Sequence, residues 1–301
     1  MDTLEAMAIF MRVVERGSFS AVARETGLSQ PTISKQIGAL EQRLGGRLFA
    51  RSTRNLSLTD EGQRYYEHCR QILAAVDSAE HSFQTGQERV AGPLRIASSG
   101  SFGRLQIAPR LHGFLQQYPE VSIDLQLSDE NVDLVSEGID VAVRIGELKD
   151  SGLIARRIGL TRRRVFAAPG YLEQLGVPAT PDELGNHNCL VFNQLKHSDT
   201  WRFEHNGQWS EVQVKGNVRS NNSESIRQMV LSGLGISLSA SWLFREDVQA
   251  GRVVALLEGY TPSSMPIHAV SPADRRQSAR VRAFTDYLRD AFAIDNDVCI
   301  D

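Results

Sequence analysis

The sequence contains few cysteines and no long apolar run. Its three cysteines among 301 residues, Cys69, Cys189 and Cys299, lie far apart and never form a CxxC pair. This spacing excludes a disulfide framework and the common cysteine-based metal sites. No apolar run approaches the roughly 20 residues of a membrane span, and the acidic N-terminus does not resemble a secretory signal. We therefore expect a cytoplasmic protein that does not bind a membrane.

The motifs of common enzyme classes are also missing. The sequence has no GxSxG elbow, no HExxH, no P-loop and no GxGxxG fingerprint, and its seven histidines are scattered. Each of these motifs sets a nucleophile, a metal ligand or a phosphate-binding backbone at a fixed spacing. We therefore expect a protein that is not an enzyme and that has no metal and no cofactor. An α/β enzyme stays as an alternative, although it leaves the N-terminal segment unexplained.

The charge of the chain is low overall but unevenly distributed. The formal net charge is −3, yet residues 24–54 hold six basic residues against two acidic ones. A basic island in a slightly acidic chain predicts one patch that binds an anion, and nucleic acid is the default candidate. On charge alone, a chance cluster of surface arginines is an equal alternative.

Residues 28–44, "LSQPTISKQIGALEQRL", have the pattern of an amphipathic helix. Ser29 is placed to cap the first turn, in which Pro31 is tolerated because the first N–H groups lack helical partners. Four apolar residues have helical spacing, namely Ile33, Ile37, Leu40 and Leu44. The opposite face carries small or uncharged residues around a single lysine, Lys35, whereas an ordinary solvated face tends to carry charged pairs.

A short helix, "AVARET", precedes this helix and ends at Gly27. Two short helices joined by a tight glycine turn predict a helix-turn-helix, whose second helix typically enters the DNA major groove. A plain helical packing unit is the alternative. The following segments "RLFARS" and "RNLSL" alternate around a polar turn and predict a β-hairpin wing with Arg54 near its tip.

A long helix is predicted from Thr59 to about residue 88, with Thr59 as its cap. Its heptad-like positions are Gly62, Tyr66, Cys69, Leu73, Val76, Glu80 and Phe83. Such a stripe favours a dimerisation helix, and a helix packed on its own domain is the alternative. After Gly92 and Pro93, strands alternate with helices, which predicts a mostly parallel α/β sheet. We also expect a short helix around Val132–Glu137 and a last helix from Arg276 to about Phe292.

The chain resembles the LysR-type bacterial transcriptional regulators over essentially its full length. The family pattern S-Q-P-[AT]-[VI]-S-x-Q-I is followed within residues 28–37, and its wing signature matches "LFAR" and "LTDEG". The stretches "GIDVAVRIGEL" and "LSGLGISLSASWL" are similar to parts of the family's second domain. This resemblance implies an all-α winged helix-turn-helix domain, a long linker helix and an α/β effector domain whose two subdomains resemble a periplasmic binding protein.

The resemblance also implies the domain limits. They are 1–58 for DNA binding, 59–91 for the linker and dimerisation helix, and 92–301 for the effector domain, with subdomain I at 92–161 and 267–301 and subdomain II at 162–266. The expected partners are double-stranded promoter DNA, a small-molecule co-inducer as effector, further copies of the chain in a homodimer or homotetramer, and RNA polymerase. A ligand-independent architectural DNA binder is the alternative function.

The residues that match the family's DNA-contacting positions are Gln30, Pro31, Thr32, Ser34, Lys35, Arg51 and Arg54. Amide, hydroxyl and ammonium groups suit base edges, while wing arginines suit the minor groove and its phosphates. Lys35 stands where relatives often carry arginine, and Gly38 where a longer residue is frequent, so the DNA preference is the least transferable property.

The candidate effector residues follow strand ends and helix starts, where polar groups meet ligands. They are Ser98, Ser99, Ser101, Phe102, Arg144, Asn193, Trp201 and Asn222. Phe102 is expected to act as a lid or stacking group. Two alternatives stay open, because the serines would also suit a helix cap and Arg144 would also suit a structural ion pair.

Overall fold

The computed structural model describes residues 2–50, 56–85, 89–130, 132–148, 152–194, 198–273, 275, 278–295 and 297–299. The chain forms two compact units, Met1–Arg89 and Val90–Asp301, called here the N-terminal unit and the C-terminal unit. None of the helices in these ranges combines the length and apolar character that crossing a bilayer demands.

The helices of the N-terminal unit surround a small apolar core. They are α1 (Thr3–Arg16), α2 (Phe19–Thr26), α3 (Gln30–Leu44) and α4 (Asp60–Thr85). The first three each end at a glycine in the left-handed conformation, with φ of 61° at Gly17, 69° at Gly27 and 72° at Gly45. Residues that carry a Cβ rarely adopt this backbone conformation, so glycine permits the sharp exits that bring the helices together.

The apolar stripe of α3 ends one turn earlier than the sequence pattern predicts. Ile33, Ile37 and Leu40 are buried, whereas Leu44 is 42% exposed. Glu41 is buried instead, because its carboxylate accepts the backbone N–H groups of the next segment.

The contacts of helix α4 support one of the two interpretations of its heptad pattern, a helix packed on its own domain, for its first half, while dimerisation stays a prediction. Thr59 caps it as predicted, since its hydroxyl accepts the N–H of Gly62 at 2.9 Å. Gly62 lies so close to the Leu48 carbonyl that any Cβ would collide with this oxygen. The residues that follow pack into the unit's own core, with Cys69 fully buried, whereas Phe83 is 92% exposed. The first half of α4 is therefore a packing helix, and its far end carries an uncovered aromatic side chain.

The first lobe of the C-terminal unit is a six-stranded sheet covered by helices. Its strands are β1 (Gly92–Ser98), β2 (Val121–Leu127), β3 (Val141–Ile145), β4 (Ile154–Thr161), β13 (Met265–Ser271) and β14 (Val298–Cys299). They lie in the order β14-β4-β13-β3-β1-β2. Strand β1 is parallel to β2 and β3, but β13 is antiparallel to both β3 and β4. The sheet is thus mixed rather than mostly parallel, because β13 returns from the second lobe in the opposite direction.

The helices of the first lobe are α5 (Gly100–Phe102), α6 (Ala108–Gln117) and α10 (Ala279–Ala293). A π-helical segment, Gly103–Ile107, joins α5 to α6, so residues 100–117 form one helical run. Pro109 explains the irregularity, since it has no N–H to donate to the carbonyl four residues earlier. The helix predicted around Val132–Glu137 is wrong, because the described residues there form turns.

The second lobe consists of smaller sheets. Its strands are β5 (Arg163–Ala167), β6 (Val191–Phe192), β7 (Thr200–His205), β8 (Gln208–Gln213), β9 (Arg219–Ser220), β10 (Ser237–Ala240), β11 (Val254–Leu256) and β12 (Thr261–Pro262). They pair as β10-β5-β11, β12-β7-β8 and β6-β9. The helices are α7 (Pro169–Leu175), α8 (Ser223–Leu231) and α9 (Arg245–Gln249). One apolar core joins the lobes, with Phe102 of the first lobe packed edge-on against Trp242 of the second at 5.4 Å between ring centroids.

Candidate functional site

Helix α3 begins with a complete cap. The Ser29 hydroxyl accepts the N–H of Thr32 at 3.3 Å and lies 2.8 Å from the Thr32 hydroxyl. Pro31 occupies the first turn, where its missing N–H costs nothing. The Thr32 hydroxyl is therefore engaged by the cap and is less available to DNA than its neighbours on the helix.

The exposed side of α3 carries the remaining predicted DNA-contacting residues of the helix, and we call it the reading face. Its members are Gln30, Pro31, Ser34, Lys35 and Gly38. Space beside Gly38 is open, since an added Cβ would meet no atom within 4 Å. Among the described residues, Lys35 has no ion-pair partner. The reading face thus offers an amide, a hydroxyl and a free ammonium to an approaching ligand.

Helix α2 orients the first residue of the reading face. The Ser20 hydroxyl donates to Gln30 Oε1 at 3.1 Å. The amide nitrogen of Gln30 is left with no partner in the part of the chain that the structure describes. A glutamine held by its oxygen presents its donor side outward, which suits an acceptor such as adenine N7.

The base of the predicted wing is fastened to α3 by Glu41. Its carboxylate accepts the N–H of Leu48 at 2.8 Å and of Phe49 at 3.3 Å, and it pairs with Arg47 at 2.8 Å. Phe49 and Leu58 form an antiparallel bridge, as a hairpin base requires. The two wing arginines, Arg51 and Arg54, lie outside the described residues, so their DNA contacts stay predictions.

The predicted effector residues divide into two groups. Ser101 and Asn222 lie where the first lobe meets the start of α8 in the second lobe. Ser98 is the last residue of β1, and Ser99 immediately precedes the helical run of the first lobe. Ser101 accepts a hydrogen bond from Ser223 at 2.8 Å across the two lobes. Ser98 is only 6% exposed, and its hydroxyl has no partner within the described residues.

The other predicted effector residues have structural contacts. Phe102 is fully buried in the shared core and Trp201 is 5% exposed in the core of the second lobe, so neither side chain forms a surface lid. Their aromatic rings fill these cores. The sequence pattern alone did not distinguish such a core position from a ligand contact. Asn193 is exposed, and its N–H donates to the Ser220 carbonyl at 2.9 Å.

Within the described residues, Arg144 has a neutral partner and no ion pair. Its guanidinium donates to the Val132 carbonyl at 3.0 Å, and burial lowers its pKa below the ordinary value of an arginine. By strand alternation it lies on the sheet face of Ala142, while Ser98 shares the opposite face with Ile96. The structure therefore does not bring Arg144 and Ser98 together on one face.

One residue at the lobe junction escaped the sequence analysis. Asp129, two residues after β2, accepts the N–H of Gly100 at 2.9 Å and the side-chain amide of Asn222 at 2.6 Å. Its position at the carboxyl end of a parallel strand was a usable signal, because ligand-binding groups gather at that edge. No group of three metal-ligating side chains lies close together within the described ranges.

Comparison with known proteins identifies both units. Residues 4–63 match the family model "Bacterial regulatory helix-turn-helix protein, lysR family", and residues 87–293 match "LysR substrate binding domain". An HTH-type transcriptional regulator of Xanthomonas campestris is 38% identical, covering 98% of this chain and 86% of that protein. The regulator CrgA of Neisseria meningitidis serogroup C is 33% identical, with 98% of both chains covered.

Solved structures give the same result. The structure of CrgA, a LysR-type transcriptional regulator from Neisseria meningitidis, matches with a TM-score of 0.60 at 32% identity and covers 97% of this chain and 99% of its own. The full-length Vibrio cholerae virulence activator AphB matches with a TM-score of 0.56 at 28% identity, covering 95% of this chain and 98% of its own. The chain therefore belongs to the LysR-type family of bacterial DNA-binding transcriptional regulators, with an N-terminal helix-turn-helix and a substrate-binding domain.

Proposed function

We propose that this regulator recognises promoter DNA through the reading face of α3 and that a small-molecule effector bound between the two lobes changes the geometry of its oligomer on DNA. The observation that carries the first part is the two-sided character of α3. Its apolar side is buried, while the opposite side exposes groups with donors, acceptors and open space. This combination suits the close approach of base edges in a major groove.

Substitution of Gln30 tests base recognition. We expect Gln30→Ala to weaken operator binding by about 1–3 kcal/mol, because the amide's base contacts are lost, and to leave binding to random DNA unchanged. Operator sites come from genome-wide mapping of bound DNA, and affinities from fluorescence anisotropy at fixed salt. Gln116→Ala, the same change on an exposed helix of the C-terminal unit, is the control. An equal loss on both DNAs would contradict base recognition and favour an architectural DNA binder.

The far end of α4 supports the oligomeric part of the proposal. Phe83 is 92% exposed near the end of this helix, and Ile72, about three turns earlier by helical periodicity, is 39% exposed. Large apolar side chains exposed along one side of a helix are typical of an interaction surface. We propose that a second copy of the chain covers them in a homodimer, the unit from which a homotetramer is built. Phe83→Glu is expected to shift the protein towards monomer in sedimentation without lowering its melting temperature. A dimer of unchanged affinity would refute this role.

The effector part rests on the polar groups that meet at the lobe junction. Ser98, Ser101 and Asn222 lie near the carboxyl ends of first-lobe strands and at the start of α8, where ligands bind in such folds. A thermal-shift screen of metabolites made or used by the products of genes beside the bound promoters tests this part. A cytoplasmic location and a contact with RNA polymerase follow from the same proposal, because both belong to action at promoters.

A further inference from the structure

The junction between the lobes is held by side chains of the protein itself. Beside the Ser101–Ser223 hydrogen bond, Arg104 of the first lobe pairs with Glu224 of the second at 2.9 Å. Both second-lobe residues belong to the first turn of α8. The start of α8 is therefore tied directly to the helical run that begins at Gly100.

Asp129 provides the most direct tie. One carboxylate oxygen accepts the N–H of Gly100 at 2.9 Å in the first lobe, and the other accepts the amide of Asn222 at 2.6 Å in the second. The Asp129 carbonyl also accepts the side-chain amide of Gln194 at 3.1 Å, again from the second lobe. A single residue thus joins both lobes through three hydrogen bonds.

Helix capping does not explain the Asp129–Asn222 contact. Asn222 caps α8 through its oxygen, which accepts the N–H of Ser225 at 2.8 Å and its hydroxyl at 2.9 Å. The amide nitrogen that reaches Asp129 takes no part in this cap. The contact therefore adds a bond between lobes that the helix itself does not need.

The donors that hold Asp129 are those that a free carboxylate would use. An early N–H of a long helical run and a side-chain amide from the facing lobe together bind a carboxylate well. Two residues before Gly100, Ser98 is buried and its hydroxyl has no partner in the described part of the chain. A buried unpaired hydroxyl favours a ligand that supplies a partner.

We propose that Asp129 is a tethered ligand that occupies the effector site, and that the effector is an anionic small molecule whose carboxylate displaces it. This inference rests on the proposed function in one respect, namely that a small-molecule effector binds between the two lobes. Displacement breaks the side-chain hydrogen bond between Asp129 and Asn222, so this contact between the lobes depends on the ligand. Because Asp129 already fills the site, the apparent affinity for effector equals the intrinsic affinity multiplied by the fraction of molecules in which Asp129 is released.

Chemical rescue tests the tethered ligand. In the full chain with Asp129→Ala, added acetate is expected to fill the vacated position and raise the melting temperature by a saturable ~2–4 °C, a shift well above the measurement error for a unit of this size. The wild type and the Glu130→Ala control, which removes an exposed carboxylate one residue away, are expected to show no saturable response. Acetamide, which has the same shape without the charge, is expected to do nothing. An identical acetate response in all three proteins overturns the proposal.

A pair of substitutions keeps the proposal testable if the alanine variant does not fold. Asn222→Asp preserves the cap of α8 but sets two carboxylates against each other, so we expect a lower melting temperature. Adding Asp129→Asn to it restores one donor and one acceptor and is expected to recover most of the loss. An Asn222→Asp protein that melts like the wild type overturns the proposal. Neither experiment uses DNA, so their failure is distinct from failure of wild-type operator binding, which would overturn the proposed function.

Discussion

The reading face of α3 and the lobe junction use polar groups in opposite ways. Within the described residues, Gln30, Ser34 and Lys35 are exposed and keep donor groups without a partner, whereas Asp129 and Asn222 bond to each other. Polar groups on the exposed reading face are hydrogen-bonded to water until DNA binds, so leaving them without a protein partner costs little free energy. A cleft for a small molecule excludes water, and an unsatisfied polar group there is costly. This difference would explain why the proposed DNA-binding site lies open on the surface, while the proposed effector site is filled by a side chain of the protein.

The largest expected effect comes from removing Asp247, which anchors α8 near the lobe junction through Arg227. This carboxylate is fully buried and accepts from Arg227 at 2.6 and 2.9 Å and from Arg252 at 2.6 and 2.8 Å. Arg227 in turn holds Glu224 at 2.7 Å, which pairs with Arg104 across the lobes. We expect Asp247→Ala to lower the free energy of unfolding by about 3–5 kcal/mol, because the largely buried Arg227 guanidinium loses its two hydrogen bonds to this carboxylate.

Urea unfolding of the full chain, followed through the transition of the C-terminal unit, measures this loss. Glu246→Ala removes an exposed carboxylate from the preceding position of the same helix and is expected to change stability by less than ~0.5 kcal/mol. Equal stabilities of the two variants would show that the network does not hold the second lobe.

Two glycines of the N-terminal unit give the next largest effect. Gly62→Ala would push a methyl group into the Leu48 carbonyl, so we expect a loss of about 1–3 kcal/mol despite the better helix propensity of alanine. Gly38→Ala meets only open space and is expected to gain up to about 1 kcal/mol. Thermal unfolding compares the two, and a loss at Gly38 would mean that the reading face is not open.

The sequence predicted the reading face of α3 better than the contacts at the lobe junction. Periodicity, a serine cap and glycine exits are local signals, so α3 and its reading face could be located without coordinates. Contacts of Asp129 and Asp247 join residues 93 and 20 positions apart, and no local pattern marks such partners. The same limit explains Phe102, because an aromatic after a strand suits either a core or a ligand.

Two serines of α3 sharpen the comparison within one helix. Ser29→Ala removes the cap and is expected to cost about 1 kcal/mol of stability, whereas Ser34→Ala on the reading face is expected to cost less than ~0.5 kcal/mol. We expect the opposite order for operator affinity, with a larger loss for Ser34→Ala than for Ser29→Ala, because Ser34 contacts DNA in the proposed complex. Chemical unfolding and anisotropy on both variants check the two halves, and a stability loss at Ser34 would place it in the fold rather than in recognition.

The smallest expected effect is the loss of stability in mild acid, which should come from paired carboxylates of the C-terminal unit. Burial alone would raise the pKa of Asp247, but hydrogen bonds from Arg227 and Arg252 lower it below its usual 3.8. The pKa of Asp295 is lowered in the same way, by backbone N–H groups and by Arg245 and Arg110 against the effect of burial.

A lowered folded-state pKa contributes stability that is fully present above the unfolded value and is lost as the pH falls through the folded value. The C-terminal unit should therefore keep its stability from pH 7 to about 5 and lose only about a few tenths of a kcal/mol by pH 4.5. The loss then steepens below the unfolded pKa. Unfolding curves across this range, with Asp247→Asn as comparison, separate the contribution of Asp247. If the variant loses stability with acid as steeply as the wild type, the acid response has another origin, and Asp247 does not supply the ionised anchor that holds Arg227 beside the lobe junction.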